Sequence, residues 1–281
     1  MADGRDASPP PPASPEDPSQ AATDGRASLR VRHAAVLERI AAAARGCGRD
    51  PASVALLAVS KTFDAGAVLA LADCGQRDFG ENYVQEALTK RTEVGDRWPL
   101  RPAGRTGRSE LPELPDEVPD LPVWHFIGPL QSNKTRPIAE SFDWVHSVDR
   151  EKVARRLSEQ RPASLAPLQV CIQVDVSGEA TKSGCVPEDL PALARLIAGL
   201  PGLRLRGLMA IPAPTDDPVL QRAQFARVRE VFDRLQAEGL PVDTLSMGMS
   251  ADLEAAIAEG ATIVRVGTAV FGERPKKEAV G

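Results

Sequence analysis

Short apolar runs alternate with longer amphipathic stretches along most of the chain. The apolar runs predict strands at Val54–Val59, Arg77–Phe79, Val123–Ile127, Trp144–Val148, Leu168–Val174, Leu205–Ile211, Thr244–Ser246 and Thr262–Val266. The stretches between them carry apolar residues at helical spacing. They predict helices at Ala65–Cys74, Tyr83–Val94, Ser132–Ser141, Arg150–Gln160, Glu188–Leu200, Val219–Glu238 and Met249–Glu259, with a further helix at Ser28–Arg45 before the first strand.

Several of these strands are apolar on both faces, as in the segments LLAVS and CIQVDV. A parallel sheet covered by helices requires strands of this kind. Repetition of a strand and a helix about eight times predicts an α/β fold, a single-domain TIM (β/α)8 barrel over residues 28–275. An open doubly wound sheet is the alternative.

Three segments lie outside this alternation. Residues 1–27 are rich in Pro, Ser, Ala and Asp without apolar periodicity, and they predict a disordered tail. Residues 95–122 carry six prolines and mixed charge, which indicates an insertion between regular elements. Residues 276–281 are expected to form a short C-terminal tail.

Composition excludes several classes of function. The 281 residues carry a net charge of −5, with a pI near 5.4, so no global attraction to nucleic acid or to anionic membranes is expected. The N-terminus has no apolar signal segment, and no window approaches the roughly 20 apolar residues of a membrane span. The four cysteines show neither a CxxC pair nor metal-ligand spacing. A cytoplasmic protein without a structural metal is predicted.

Lys61 follows the end of the first strand after one serine, in the segment LLAVSK. In a (β/α)8 barrel the active site lies at the carboxyl ends of the strands. Partial burial there disfavours the ammonium form and leaves an amine that can attack a carbonyl. Lys61 is therefore a candidate for Schiff-base formation, and a solvated lysine at a strand end is the alternative.

The turns after the last two strands are rich in glycine and hydroxyl groups. The segment SMGMS places Ser246 and Gly248 after the seventh strand, and Gly267–Thr268 follow the eighth. Phosphate sites of barrels are frequently built from these two loops. Ser250 has a simpler interpretation as a helix N-cap supported by Glu254.

A lysine near a phosphate-binding turn suggests a phosphorylated aldehyde, and pyridoxal 5′-phosphate (PLP) is the obvious candidate. Arg265 lies on the last strand among apolar residues, where a cation needs a polar partner. A guanidinium only donates, so a pyridine nitrogen facing Arg265 stays unprotonated, and the ring is then a poor electron sink. A salt bridge between Arg265 and Glu259 is the alternative.

Three further candidates lie at or near strand ends. Asn82 is placed to hydrogen-bond a ring substituent. His125 is either beside the ligand or a buried core histidine, and Met209 is either a pocket residue or part of the core.

Six segments together resemble the pyridoxal phosphate homeostasis protein family: AVSK, FGENYVQE, WHFIGPLQSNK, RGLMAIP, LSMGMS and VRVGTAVFG. The resemblance extends from Val54 to Gly272. It implies a TIM barrel similar to the barrel domain of bacterial alanine racemase, with PLP carried on Lys61. The cofactor-binding set that it implies is Lys61, Asn82, His125, Met209, Ser246, Met247, Gly248, Arg265, Gly267 and Thr268.

The resemblance implies a carrier and buffer of PLP that supplies apo-enzymes and lacks robust catalysis. The chain ends nine residues after Gly272 and has one tyrosine, Tyr83, so we do not expect the second domain and opposing tyrosine base of a racemase. A monomer is expected for the same reason. The alternatives are a weak PLP-dependent racemase or lyase, and a class I aldolase in which Lys61 condenses with a sugar phosphate.

Overall fold

A computed structural model describes residues 18–98, 121–175 and 184–273. The strands are β1 (Ala55–Val59), β2 (Asp78–Glu81), β3 (Val123–Phe126), β4 (Trp144–Val148), β5 (Leu168–Gln173), β6 (Leu203–Met209), β7 (Thr244–Ser246) and β8 (Ile263–Val266). The helices are α1 (Pro18–Gly46), α2 (Ala65–Ala72), α3 (Val84–Arg97), α4 (Thr135–Ser141), α5 (Glu151–Gln160), α6 (Leu190–Ala198), α7 (Pro218–Ala237), α8 (Leu253–Ala258) and α9 (Thr268–Phe271).

The eight strands close into one parallel barrel in chain order. Strand β8 pairs with β1, with Leu57 opposite Arg265, so the sheet has no free edge. The prediction of a (β/α)8 barrel is confirmed, and the open-sheet alternative is wrong. Every predicted strand is present, with its ends within two residues of the predicted bounds.

The first helix begins ten residues earlier than the sequence pattern predicts, at Pro18 instead of Ser28. The prediction of a disordered tail is therefore wrong for residues 18–27, whereas residues 1–17 lie outside the described part of the chain. Proline fits the first position of a helix, because the N–H that it lacks would have no intrahelical partner there. The absence of apolar periodicity over residues 18–27 hid a helical extension that begins at such a proline.

The predicted insertion over residues 95–122 begins inside a helix. Helix α3 continues to Arg97, so the first residues of that segment are helical. Residues 99–120 lie outside the described ranges, as do residues 274–281, which include the predicted C-terminal tail.

Helix α1 ties together the two loops that follow β7 and β8. Its Arg39 donates a hydrogen bond of 2.8 Å to the carbonyl of Ser250 and forms an ion pair with Glu254 on α8. Its Arg32 donates from Nε to the carbonyl of Val270, at 3.0 Å. The glycine–hydroxyl turns are therefore braced from outside the barrel.

Across residues 18–98, 121–175 and 184–273, no helix combines the length and apolar character that crossing a bilayer requires. In the same ranges, no three His, Cys, Asp or Glu side chains are grouped so as to hold a metal ion. The four cysteines, Cys47, Cys74, Cys171 and Cys185, carry free thiols.

Candidate cofactor site

A cavity of about 320 Å³ opens at the carboxyl end of the barrel. This volume is near the lower limit of the range typical of small-molecule pockets in proteins. Five of the ten residues predicted to bind a cofactor line it together: Lys61, Asn82, Arg265, Gly267 and Thr268. The sequence pattern did not single out most of the remaining lining residues, which are Val59, Phe63, Ile127, Ile211, Met249, Ser250 and Ala251.

The other five predicted residues are buried and do not line this cavity. Met209 is fully buried at the end of β6, and Met247 is fully buried in the loop after β7. Gly248 has a φ of +92°, and a Cβ there would lie 2.5 Å from the Cβ of Ala256, so helix α8 packs directly on the loop. Ser246 and His125 belong to hydrogen-bonded groups inside the barrel.

Lys61 is half-buried and lines the cavity just beyond the end of β1. The next residue, Thr62, has a φ of 71°, the one positive φ at a non-glycine residue among the described positions. A β-branched residue rarely adopts this conformation, because its side chain crowds the backbone. The chain therefore turns sharply and under strain directly after the site lysine.

A buried ion cluster holds both neighbours of that lysine. Lys90 of α3 donates to the carbonyl of Ser60 at 2.7 Å, to Oε1 of Glu81 at 2.6 Å and to Oε1 of Glu86 at 3.1 Å. Glu86 in turn accepts a hydrogen bond from the backbone N–H of Thr62. All three protons of the ammonium are used, and the backbone is fixed on each side of the lysine.

Glu81 is fully buried at the end of β2. Burial raises the pKa of this carboxyl group, and its contacts with Lys90 and Ser60 oppose that shift. Its Oε2 has no hydrogen-bond partner among the described residues. The carboxylate therefore depends on the lysine to remain ionised inside the protein.

Asn82 lines the same side of the cavity, and its buried Oδ1 has no partner in the part of the chain that the structure describes. A Cβ on Gly128 would lie 2.2 Å from the carbonyl oxygen of Asn82, so the loop after β3 reaches Asn82 only because residue 128 is glycine. The asparagine is thus held in place with an acceptor still available.

Arg265 is buried on β8, the strand that pairs with β1, and it also lines the cavity. Its Nη1 donates to the carbonyl and to Oγ of Ser246, and its Nη2 donates to the carbonyl of Ala210 at 2.8 Å. Burial lowers the pKa of Arg265 to about 10, so the guanidinium remains charged at neutral pH. Glu259 pairs with Arg222 instead, and the alternative salt bridge to Arg265 is therefore wrong.

Ser250 does not cap helix α8, because that helix begins at Leu253 and Asp252 occupies the N-cap position. The carboxylate of Asp252 accepts from the N–H of Met249 and closes the loop. The N-cap interpretation of Ser250 is therefore wrong, and its side chain lies at the cavity with the turn Gly267–Thr268.

Comparison with known proteins decides the family. The family described as alanine racemase, N-terminal domain, matches residues 21–275. A pyridoxal phosphate homeostasis protein from Pseudomonas aeruginosa is 60% identical over 242 residues, which cover 86% of this chain and 94% of that protein. The chain belongs to the pyridoxal phosphate homeostasis protein family.

Two solved structures resemble this chain, one at higher and one at lower sequence identity. PipY from Synechococcus elongatus, solved with PLP bound, has a TM-score of 0.68 and 37% identity, covering 87% of this chain and all of that one. Alanine racemase from Corynebacterium glutamicum has a TM-score of 0.59 at 15% identity, covering 86% of this chain and 62% of the enzyme. The second likeness shows the shared barrel fold alone.

Proposed function

We propose that this protein binds PLP reversibly through Lys61 and serves intracellular PLP homeostasis as a carrier and buffer, without robust catalysis. One observation carries the proposal: a lysine, a buried arginine and a glycine–hydroxyl turn line a single cavity. The name of the Pseudomonas aeruginosa relative and the PLP bound to PipY support it.

The residues of the cavity match the chemical groups of PLP. Lys61 would hold the cofactor, because its amine can condense with an aldehyde carbon and release one water molecule. The turn Gly267–Thr268 would offer backbone N–H groups and a hydroxyl to the phosphate, and Ser250, which lines the same cavity, would offer a second hydroxyl. The unpartnered Oδ1 of Asn82 accepts a hydrogen bond from a ring substituent.

The remaining members of the predicted set support these contacts from below. Ser246 holds Arg265, and Gly248 accepts a hydrogen bond from the backbone N–H of Arg265 at 2.9 Å. Met209 and Met247 fill the space under the loops as fully buried side chains. His125 acts at a greater distance, through other side chains.

Arg265 accounts for the absence of robust catalysis. PLP supplies an electron sink for carbanion chemistry when its ring nitrogen is protonated. A guanidinium has no acceptor and stays charged at neutral pH, so a ring nitrogen facing Arg265 has to accept. The same residue that fixes the ring therefore weakens the chemistry that a racemase or a lyase needs.

Trapping with borohydride tests the site. After incubation with PLP and reduction, intact mass should show one pyridoxyl adduct, and peptide mapping should place it on Lys61. Lys61→Ala should lose the adduct and the visible absorbance of the bound cofactor. Lys134→Ala is the matched control, since it removes another lysine near the carboxyl end of a strand and should leave the adduct in place. An adduct that survives in Lys61→Ala would contradict the proposal, and a sugar adduct would favour the aldolase.

Exchange of the Cα proton separates a carrier from an enzyme. The PLP-loaded protein is incubated in heavy water with L- and D-amino acids, and deuterium at Cα is followed by mass. We expect exchange far below the ordinary enzymatic range of about 1–10³ s⁻¹. Exchange within that range would show a racemase or lyase activity instead.

The supply of PLP to apo-enzymes, the cytoplasmic location and the monomeric state remain predictions. Transfer to an apo-enzyme is measured by recovery of that enzyme's activity, and the monomer by light scattering. If transfer is no faster than from free PLP at the same total concentration, the protein acts as a buffer of PLP and has no carrier role.

A further inference from the structure

A continuous line of hydrogen bonds crosses the barrel interior below the cavity. Nη1 of Arg265 lies 2.9 Å from Oγ of Ser246, which lies 2.8 Å from Nδ1 of His146. Nε2 of His146 lies 2.9 Å from Nδ1 of His125, whose Nε2 lies 3.0 Å from Oδ1 of Asp78. The five residues come from β8, β7, β4, β3 and β2.

The last group in this line sets the direction of every bond. A carboxylate only accepts, so His125 donates its Nε2–H to Asp78, and a ring with a single proton then presents a bare Nδ1. His146 then donates Nε2–H to that nitrogen and accepts at Nδ1 from the hydroxyl of Ser246. The serine oxygen keeps its lone pairs for Arg265, and each link has one donor and one acceptor.

Each ring carries one proton in this arrangement, and the burial of His146 agrees with it. His146 is fully buried, and burial lowers the pKa of its imidazole well below the usual value, with the charge of Arg265 acting in the same direction. A neutral ring has a single N–H, so fixing one nitrogen determines the other.

The far end of the line is held rigidly at the amino-terminal face of the barrel. The ring of Trp144 stacks on His125, with centroids 5.3 Å apart and planes 10° from parallel. The guanidinium of Arg206 lies 4.7 Å from the centre of the Trp144 ring and pairs with Asp243 at 2.8 Å. The side chain of Asp78 is 36% exposed, so the line ends at solvent.

We propose that Asp78 is a positioning residue for the cofactor site. Through His125, His146 and Ser246 it fixes the direction of the hydrogen bonds, so that the serine hydroxyl donates to His146 and its oxygen accepts from Arg265 alone. The effect on PLP rests on the proposed function, whereas the order of the hydrogen bonds does not. The carboxylate of Asp78, at the amino-terminal face of the barrel, thereby determines the hydrogen bonding of Arg265 at the cavity.

Loss of the carboxylate permits a second order. His125 then donates from Nδ1 to His146, and His146 donates from its own Nδ1 to Ser246. The serine oxygen now accepts from His146 as well as from Arg265, and its hydroxyl proton loses its acceptor. Without Asp78 no group fixes the tautomer of His125, so both orders become accessible and the serine oxygen no longer has a single set of partners.

Nuclear magnetic resonance reads this order directly in the cofactor-free protein. The chain has three histidines, and His33→Gln leaves only the two in question. With ¹⁵N-labelled histidine, two-bond proton–nitrogen correlation should show both rings neutral and protonated at Nε2. Coupling between Nδ1 of His125 and Nε2 of His146 across their hydrogen bond should also be seen.

Asp78→Ala should turn both rings into mixtures of tautomers, including His146, which does not contact Asp78. Asp143→Ala is the control, because Asp143 is another half-exposed carboxylate at this face, bonded to the N–H of Trp124 and to no histidine. It should leave both tautomers unchanged.

Three results would overturn the proposal: protonation at Nδ1 in the wild type, an unchanged His146 in folded Asp78→Ala, or altered tautomers with unaltered retention of PLP. We expect PLP retention in Asp78→Ala to fall about tenfold, as when other outer-shell partners are removed. If this variant does not fold, the wild-type tautomers and coupling decide. A protein that fails to bind PLP but shows the predicted tautomers refutes the proposed function and leaves the hydrogen-bond order standing.

Discussion

The two sides of the cavity hold Lys61 and Arg265 in place in different ways. On the β1–β2 side, the backbone around Lys61 is held by the buried ion pair of Lys90 with Glu81. On the β7–β8 side, Arg265 is held by neutral oxygens, among them both oxygens of Ser246. One side therefore depends on the balance of two buried charges, and the other on the direction of hydrogen bonds.

This difference predicts how each side fails. Removing one member of a buried ion pair leaves the other charged and without compensation. Removing a neutral acceptor leaves an unsatisfied donor, at a smaller cost. Substitutions on the Lys90 side should therefore act mainly on folding, and those on the Arg265 side mainly on cofactor retention.

The largest effect is expected for Lys90→Met, which leaves Glu81 buried without its cation. We expect the free energy of unfolding to fall by about 3–5 kcal/mol, as for other broken buried pairs. Urea denaturation followed by circular dichroism measures this loss.

The double variant Glu81→Gln with Lys90→Met is the internal control, because it removes both charges and should recover much of the stability. Arg155→Ala is the surface control, since the Arg155–Glu151 pair is exposed on α5 and should contribute at most about 1 kcal/mol. Equal losses for Lys90→Met and Arg155→Ala would refute the importance of the buried cluster.

On the other side, Ser246→Ala removes an acceptor of Arg265 and the donor to His146. We expect a loss of about 1–3 kcal/mol in the free energy of unfolding, the usual cost of an unsatisfied buried group. PLP should also dissociate faster, because among the described residues the guanidinium then keeps only the carbonyls of Ser246 and Ala210 as acceptors. Stopped-flow transfer of PLP to an excess of free amine measures the release, and an unchanged rate would contradict this role of the serine.

The sequence predicted the barrel because its evidence is local. Several of the parallel strands are apolar on both faces, and the unit of strand and helix repeats about eight times. Lys61 and Arg265 were found because the ends of barrel strands meet at one face, whatever the details of packing.

Lys90 and His146 were missed because their partners are set by strand register and helix packing. Lys90 lies in the segment TKRTEV, which has the composition of a solvent-facing helix, yet the side chain is 4% exposed. His146 and Ser246 are 100 residues apart and meet only in the closed barrel. The sequence offered one weak signal, a histidine inside each of two apolar strands, where an imidazole requires a partner.

Acidification should affect the Arg265 side in a defined direction. The pKa of His146 in the folded protein lies well below the 6.5 expected for an unfolded chain. Below the pKa of about 6.5 of the unfolded chain, the unfolded chain binds a proton that the folded protein does not. The free energy of unfolding therefore falls as the pH falls, by up to about 1.4 kcal/mol per pH unit. His33 acts in the same direction, since burial also lowers its pKa.

Glu81 acts in the opposite direction, because its raised pKa lets the folded protein keep a proton that the unfolded chain has lost. The measurement therefore uses one triple variant, Glu81→Gln, Lys90→Met and His33→Gln, in which neither Glu81 nor His33 can titrate. Urea unfolding at about pH 7 and about pH 5.5, around the ordinary histidine pKa, should show the loss from His146. Equal stability at both values would mean that this histidine titrates normally in the folded protein.

The smallest effect concerns the strained turn beside Lys61. Thr62→Gly removes a β-branched residue from a φ of 71°, which should stabilise the fold by less than about 1 kcal/mol after the greater freedom of glycine in the unfolded chain is subtracted. Thr62→Ala keeps the strain and should give no gain, so a gain in both variants would assign the effect to the side chain. Because glycine also frees the backbone next to the site lysine, PLP release should become faster although the protein becomes more stable. Faster release from a more stable protein would show that the strained backbone at residue 62 helps to retain the cofactor. This is the side of the cavity on which Lys90 and Glu86 hold the backbone in place.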